Sequence, residues 1–187
     1  LVAGNEPQAI VLHYTGGSLS GATNRFQSPN EASAHYVVDR DGTVYQMVPE
    51  RYGAYHVNCY SKRSFCLETC PICEDGEGRL VEPYLQSIGI EIVNWGPVDE
   101  NVEFTGPLYE DYQMAFGHRY WEDYTPEQIA AVKALVEDIC ARWGIPLDAA
   151  HVIGHSMINR KTDPGPALNL FWNRYGVPAR EAIWPQP

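Results

Sequence analysis

The segment 151–169, HVIGHSMINRKTDPGPALN, gathers the residue types that do chemistry. His155, Lys161 and Asp163 fall within nine residues, and Pro164-Gly165-Pro166 follows at once. Such a turn continues neither a helix nor a central strand, so it fixes a loop of definite shape. An imidazole and a carboxylate on that loop suit zinc, which takes nitrogen and oxygen ligands in tetrahedral geometry. Catalytic zinc uses three protein ligands and leaves the fourth position to water, so one donor must come from elsewhere. His13, at the end of the apolar run AIVLHY (9–14), is the best donor. Alone it would read as a core histidine satisfied by a backbone carbonyl. The downstream partners reverse that reading.

These residues need elements to hold them. Residues 9–14 read as a buried strand that runs into the loop Thr15-Gly16-Gly17, where α/β folds keep their chemistry. Residues 87–93, SIGIEIV, alternate, with Ile88, Ile90 and Ile92 on one face and Gly89, Glu91 and Val93 on the other. Glu91 is then a carboxylate inside an apolar strand, costly unless paired or employed, or else a residue on a solvent face. Residues 34–48 form two β-rich runs around Asp41-Gly42, a hairpin signature, with His35 on the first strand. Residues 125–144 form the long helix: Thr125 caps it, Pro126 opens it, Gln128 completes a capping box and Gly144 ends it. Ile129, Val132, Leu135, Val136, Ile139 and Trp143 make its buried stripe, with Cys140 a small core residue beside it.

Three stretches lack a clear period. Residues 57–86 read as an inserted surface loop holding Cys59, Cys66, Cys70 and Cys73, four of the five cysteines. Their C-x3-C-x2-C spacing fits either a second, structural zinc site or two disulfides. Residues 94–124 read as an aromatic-rich surface excursion with a short hairpin, of the kind that walls a groove. One more short helix is expected around 167–176, and Trp184-Pro185-Gln186-Pro187 reads as the start of a linker.

Composition narrows the class. With 187 residues, 44% hydrophobic, the chain is one domain with a sizeable core. Its apolar runs are too short to span a bilayer, so no membrane insertion is expected. The net charge of −11, from 24 acidic and 13 basic residues, argues against a nucleic-acid partner. The expected fold is α/β, a single domain with a mixed central sheet flanked by helices.

Taken together, IVLHYTGG, SAHYVVDRDGTVYQMVPE, SIGIEIVN and GHSMINRKTDPGPALN resemble the zinc-dependent N-acetylmuramoyl-L-alanine amidases of the amidase-2 type. The likeness runs from residue 9 to about 175, in the family's order, and RKTDPGP is its most specific string. It implies that His13, His155 and Asp163 hold one zinc ion. Glu91 is implied as general base and Lys161 as the cation that stabilises the transition state. The nearby His151 competes with His155, but the family motif places the ligand eight residues before the Asp. Branches that use a Tyr as base carry it just before the hairpin His, where this chain has Ala34. His35, His56 and Asn94 are candidates for substrate contact. The implied substrate is peptidoglycan or a soluble muropeptide, cut between N-acetylmuramic acid and L-alanine, with action on the cell wall favoured over recycling. The rival readings are a peptidoglycan receptor without activity, a zinc peptidase, which would want a HExxH-type helix, and a structural zinc protein.

Overall fold

Two parallel strands form the centre of the protein. The computed structural model describes residues 2–28, 32–58, 72, 73, 77, 79, 81–114, 116–159, 161–169, 183 and 184. In chain order the elements are β1 (Val2–Ala3), β2 (Ala9–Tyr14), α1 (Leu19–Gln27), β3 (Tyr36–Val38), β4 (Val44–Gln46) and β5 (Tyr52–Gly53). There follow β6 (Ser87–Ile92), β7 (Pro97–Val98), β8 (Leu108–Glu110), β9 (Tyr120–Glu122), α2 (Pro126–Trp143) and β10 (Val152–Gly154).

The main sheet has the order β10-β2-β6-β3-β4. Strands β10, β2, β6 and β3 are parallel, and β4 is an antiparallel edge supplied by the hairpin. Strands buried on both faces need near-continuous apolar sequence, which AIVL and SIGI provide. Because side chains alternate, Ile10, Leu12, Ile88, Ile90 and Ile92 share one face and pack with Val132, Val136 and Ile139 of α2. Ala9 and Val11 face the other way and pack with Val57, Ile72, Cys73, Ile153 and Ile158. His13 and Glu91 continue that second face at the strands' carboxyl ends, where parallel sheets leave a crevice.

Helix α2 starts and stops where expected. Thr125 and Gln128 form the capping box, and Gly144 adopts φ 68°, the left-handed closure for which glycine is suited. Its buried stripe is narrower than the expected one. Val132, Val136, Ile139 and Cys140 are buried, whereas Trp143 is exposed by 37% and donates its indole N–H to Glu50. Helix α1 was not expected; Ser18 caps it by accepting from the Gly21 N–H, but only Ala22 is buried.

The excursion after β6 is more ordered than its composition suggests, since β7, β9 and β8 make a small antiparallel sheet. Trp121 and Tyr124 of this region are core residues, while Trp95 stays 52% exposed. Cys73 is buried and disulfide-bonded, which favours the disulfide alternative at that residue. Cys59, Cys66 and Cys70 lie outside the described residues, as does most of the helix expected at 167–176. Trp184 packs into the main core and donates to Glu137, so the chain is still part of the domain there. Among the described residues, no helix is long and apolar enough to cross a membrane.

Candidate active site

Three elements deliver one cluster. His13 comes from the end of β2, and His155 follows directly on β10. Asp163 is brought back by the loop that follows, where the Ser156 N–H donates to the Asp163 carbonyl. A Cβ on Gly154 would lie 2.5 Å from Pro164 Cδ and 3.3 Å from the Asp163 carbonyl. Glycine is therefore what lets the strand end and the Pro-Gly-Pro turn press together. Tyr124 donates to the Pro164 carbonyl, and the Tyr14 and Thr162 hydroxyls are bonded to each other, fixing the loop from both sides.

The three donor atoms converge. His13 Nδ1 lies 3.1 Å from His155 Nδ1 and 2.8 Å from Asp163 Oδ2, and His155 Nδ1 lies 3.0 Å from the same oxygen. A tetrahedral zinc with bonds of about 2.0–2.1 Å keeps its ligands roughly 3.3 Å apart, so the trio fits one ion with little adjustment. Among the described residues this is the one such group of three metal-ligating side chains. His151 is not part of it; its Nδ1 sits 2.7 Å from Asp148. Burial alone would raise the Asp163 pKa, but the His13 and His155 rings beside it outweigh burial and hold it below the usual carboxylate range. Burial lowers the pKa of His13, which favours the neutral ring that a metal needs.

The cluster faces a cleft of about 570 Å³. Glu91 and Lys161 line it, together with Arg25 and Phe26 of α1. Glu91 is paired with His13 across the β2/β6 ladder. Burial pushes its pKa well above the usual carboxylate range, the nearby Asp163 charge adds to this, and Arg25 opposes it. Lys161 is exposed on the cleft wall. Trp95 stands at the rim, 3.8 Å from where a Cβ of the cleft residue Gly17 would be.

The remaining candidates are placed differently. His35 is fully buried; its Nδ1 accepts from the Gly89 N–H and its Nε2 donates to the Tyr52 carbonyl. Burial lowers its pKa to about 4. Asn94 is also buried, donating to the Glu122 carbonyl and accepting from the Gly96 N–H. Neither is brought to the cleft, and each is spent on holding backbone. His56 does touch the cleft, but both ring nitrogens are engaged inside the protein, with His13 and with Ser87. Reading the sequence missed Arg25 and Ser87. The cap Ser18 was the available signal for the helix that carries Arg25, and no spacing marks Ser87.

The sequence profile of the Amidase_2 family, described as N-acetylmuramoyl-L-alanine amidase, matches residues 3–166. The chain is 28% identical over 168 residues to N-acetylmuramoyl-L-alanine amidase AmiD of Escherichia coli, covering 85% of this chain and 49% of that protein. The solved complex of AmiD with anhydro-N-acetylmuramic acid-L-Ala-D-gamma-Glu-L-Lys superimposes with a TM-score of 0.60 at 26% identity, over 87% of this chain and 54% of AmiD. AmpDh3 of Pseudomonas aeruginosa gives a TM-score of 0.59 at 26% identity, over 88% of this chain and 57% of that one. The chain thus spans about half the length of these relatives. With the family profile matched from the first strand to the Pro-Gly-Pro turn, the chain belongs to the Amidase_2 family.

Proposed function

We propose that this protein hydrolyses the amide between N-acetylmuramic acid and L-alanine in peptidoglycan or its soluble fragments, using one zinc ion held by His13, His155 and Asp163. The observation that carries this reading is the convergence of three metal donors beside a part-buried carboxylate in an open cleft. The muropeptide in the AmiD complex supports the substrate class. Bound zinc would supply Lewis acidity, polarising the scissile carbonyl and making water a better nucleophile.

The protein's own residues supply the rest. Glu91 takes the proton of the attacking water and delivers it to the L-alanine nitrogen as the C–N bond breaks. A carboxyl group with a raised pKa suits both halves of that transfer, because its ionised form is a stronger base towards the water proton and its acid form is still acidic enough to protonate the departing amine. Lys161, on the cleft wall, serves as a point charge for the oxyanion that develops on the carbonyl. The buried rings of His13 and His155 exclude water from one side of the cluster, so the reacting atoms meet a fixed set of dipoles.

The test is chelation and reconstitution. Protein stripped with a chelator should leave a soluble anhydro-muropeptide uncut, and one equivalent of zinc should restore release of a stem peptide beginning at L-alanine. Unchanged cleavage by fully stripped protein would overturn the zinc reading.

A further inference from the structure

We propose that His56 is a positioning residue for the metal centre: with Ser87 it forms a directional hydrogen-bond chain that fixes which nitrogen of His13 carries the proton. The inference rests on the zinc reading of His13.

The direction follows from the last acceptor. The Pro83 carbonyl can only accept, and Ser87 Oγ lies 2.7 Å from it, so the serine hydroxyl spends its proton there. Ser87 Oγ then receives from its other neighbour, His56 Nε2, at 3.3 Å. A neutral imidazole with its N–H on Nε2 carries a lone pair on Nδ1. That atom lies 3.0 Å from His13 Nε2, so His13 donates there. The proton of His13 is thus on Nε2, and the lone pair on Nδ1 points at His155 and Asp163, where the ligand atom must be. Metal-ligating histidines are generally held in this way by a partner on the other nitrogen. Here the partner is a second imidazole in place of a carboxylate, so the ligand is oriented with no further negative charge beside Asp163.

The surroundings are shaped for the His56 ring. It stands edge-on to His13, with ring centroids 5.2 Å apart. It lies directly over Gly89 of β6, where a Cβ would come within 2.4–2.7 Å of three ring atoms. Glycine in the middle of a central strand otherwise weakens the strand, and here it makes room for the ring. His56 and Ser87 also bracket the stretch that carries Cys73, so both ends of that excursion meet beneath the first metal ligand.

The 187-residue chain tests this with zinc affinity, measured by competition with a chromophoric chelator, and with long-range proton–nitrogen NMR of the histidine rings in the zinc form. His56→Ala should weaken zinc binding by about 10–100-fold. His56→Asn, which can place its Oδ1 where Nδ1 stood, should recover most of that loss. Ser87→Ala should give a smaller drop in the same direction, and it carries the test if His56→Ala does not fold. In the wild type the spectrum should show the His13 proton on Nε2. Wild-type affinity in His56→Ala, an equal loss in His56→Asn, or a His13 proton on Nδ1 would each overturn the inference. A wild type that holds no zinc would overturn it together with the zinc reading. Zinc binding that responds as stated in a protein that cuts no muropeptide would leave the inference standing and remove only the proposed activity.

Discussion

His13 and Glu91 occupy paired positions on adjacent parallel strands, so one ladder rung carries both a proposed metal donor and the carboxylate proposed as base. Their separation is set by sheet geometry, on buried strands, and not by a loop. Rigid elements hold reacting groups more closely than loops do, which is what the proposed hydrolysis needs.

If Glu91 moves protons, Glu91→Gln should lower kcat by roughly 10²–10⁴-fold while the protein still binds one zinc. Steady-state rates on a soluble muropeptide, with metal content measured on the same samples, check this. Equal losses of zinc and of rate would make Glu91 a structural support.

Asp163 is the proposed ligand whose chemistry can be exchanged. Asp163→Ala should lower zinc affinity by more than the roughly 10–100-fold that outer partners contribute. Asp163→Cys should hold zinc, because a thiolate suits a tetrahedral site. Chelator competition on both variants decides. Wild-type affinity in Asp163→Ala would remove Asp163 from the ligand set.

Away from the cleft, Glu50 ties the hairpin to the end of α2. It accepts from Arg142, Tyr36 and Trp143, and although burial acts against it, these bonds lower its pKa to about 2. The unfolded carboxyl titrates near 4.5, so this contribution is complete above pH 4.5 and is lost as pH falls towards 2. Arg142 is partly exposed, so we expect Glu50→Ala to cost about 2–3 kcal/mol at pH 7, within the range of hydrogen bonds to charged groups. Urea unfolding at pH 7 measures it.

His35 predicts a second pH window. The unfolded side chain binds a proton below about pH 6.5, while the folded one does so only near pH 4. Stability is therefore fully present above pH 6.5 and falls as the pH drops to 4, by up to about 1.4 kcal/mol per pH unit from this group. His35→Gln should flatten that slope in part, since His13 and His56 are also held neutral by burial. Unfolding free energies at pH 7 and pH 5 test the difference.

The sequence displayed the cluster more clearly than its supports. His155, Lys161 and Asp163 stand out because three such groups beside a Pro-Gly-Pro turn have few packing explanations, whereas His13 and Glu91, each with an ordinary reading alone, take their roles from those partners and from the family resemblance. The hairpin and α2 were legible because Asp41-Gly42 and the Thr125/Gln128 box are local signals. His35 and Asn94 read from sequence as candidates for substrate contact because residue type does not reveal where a side chain's polar atoms are spent. Here they are spent on Gly89, Tyr52, Glu122 and Gly96. Helix α1 escaped notice because Gly21, Thr23 and Asn24 dilute its period and only Ala22 is buried. The pairing of His13 with Glu91 could not be read at all, since strand order is decided by tertiary packing.

The most direct measurement of the central claim is hydrolysis of a defined anhydro-muropeptide in heavy-isotope water by the zinc-loaded protein, followed by mass spectrometry of both products. The account predicts a free stem peptide with L-alanine at its amino terminus and one heavy oxygen in the lactyl carboxylate of the muramic acid. Glu91→Gln should produce neither at a comparable rate. Intact substrate, or a heavy oxygen at any other bond, would contradict it.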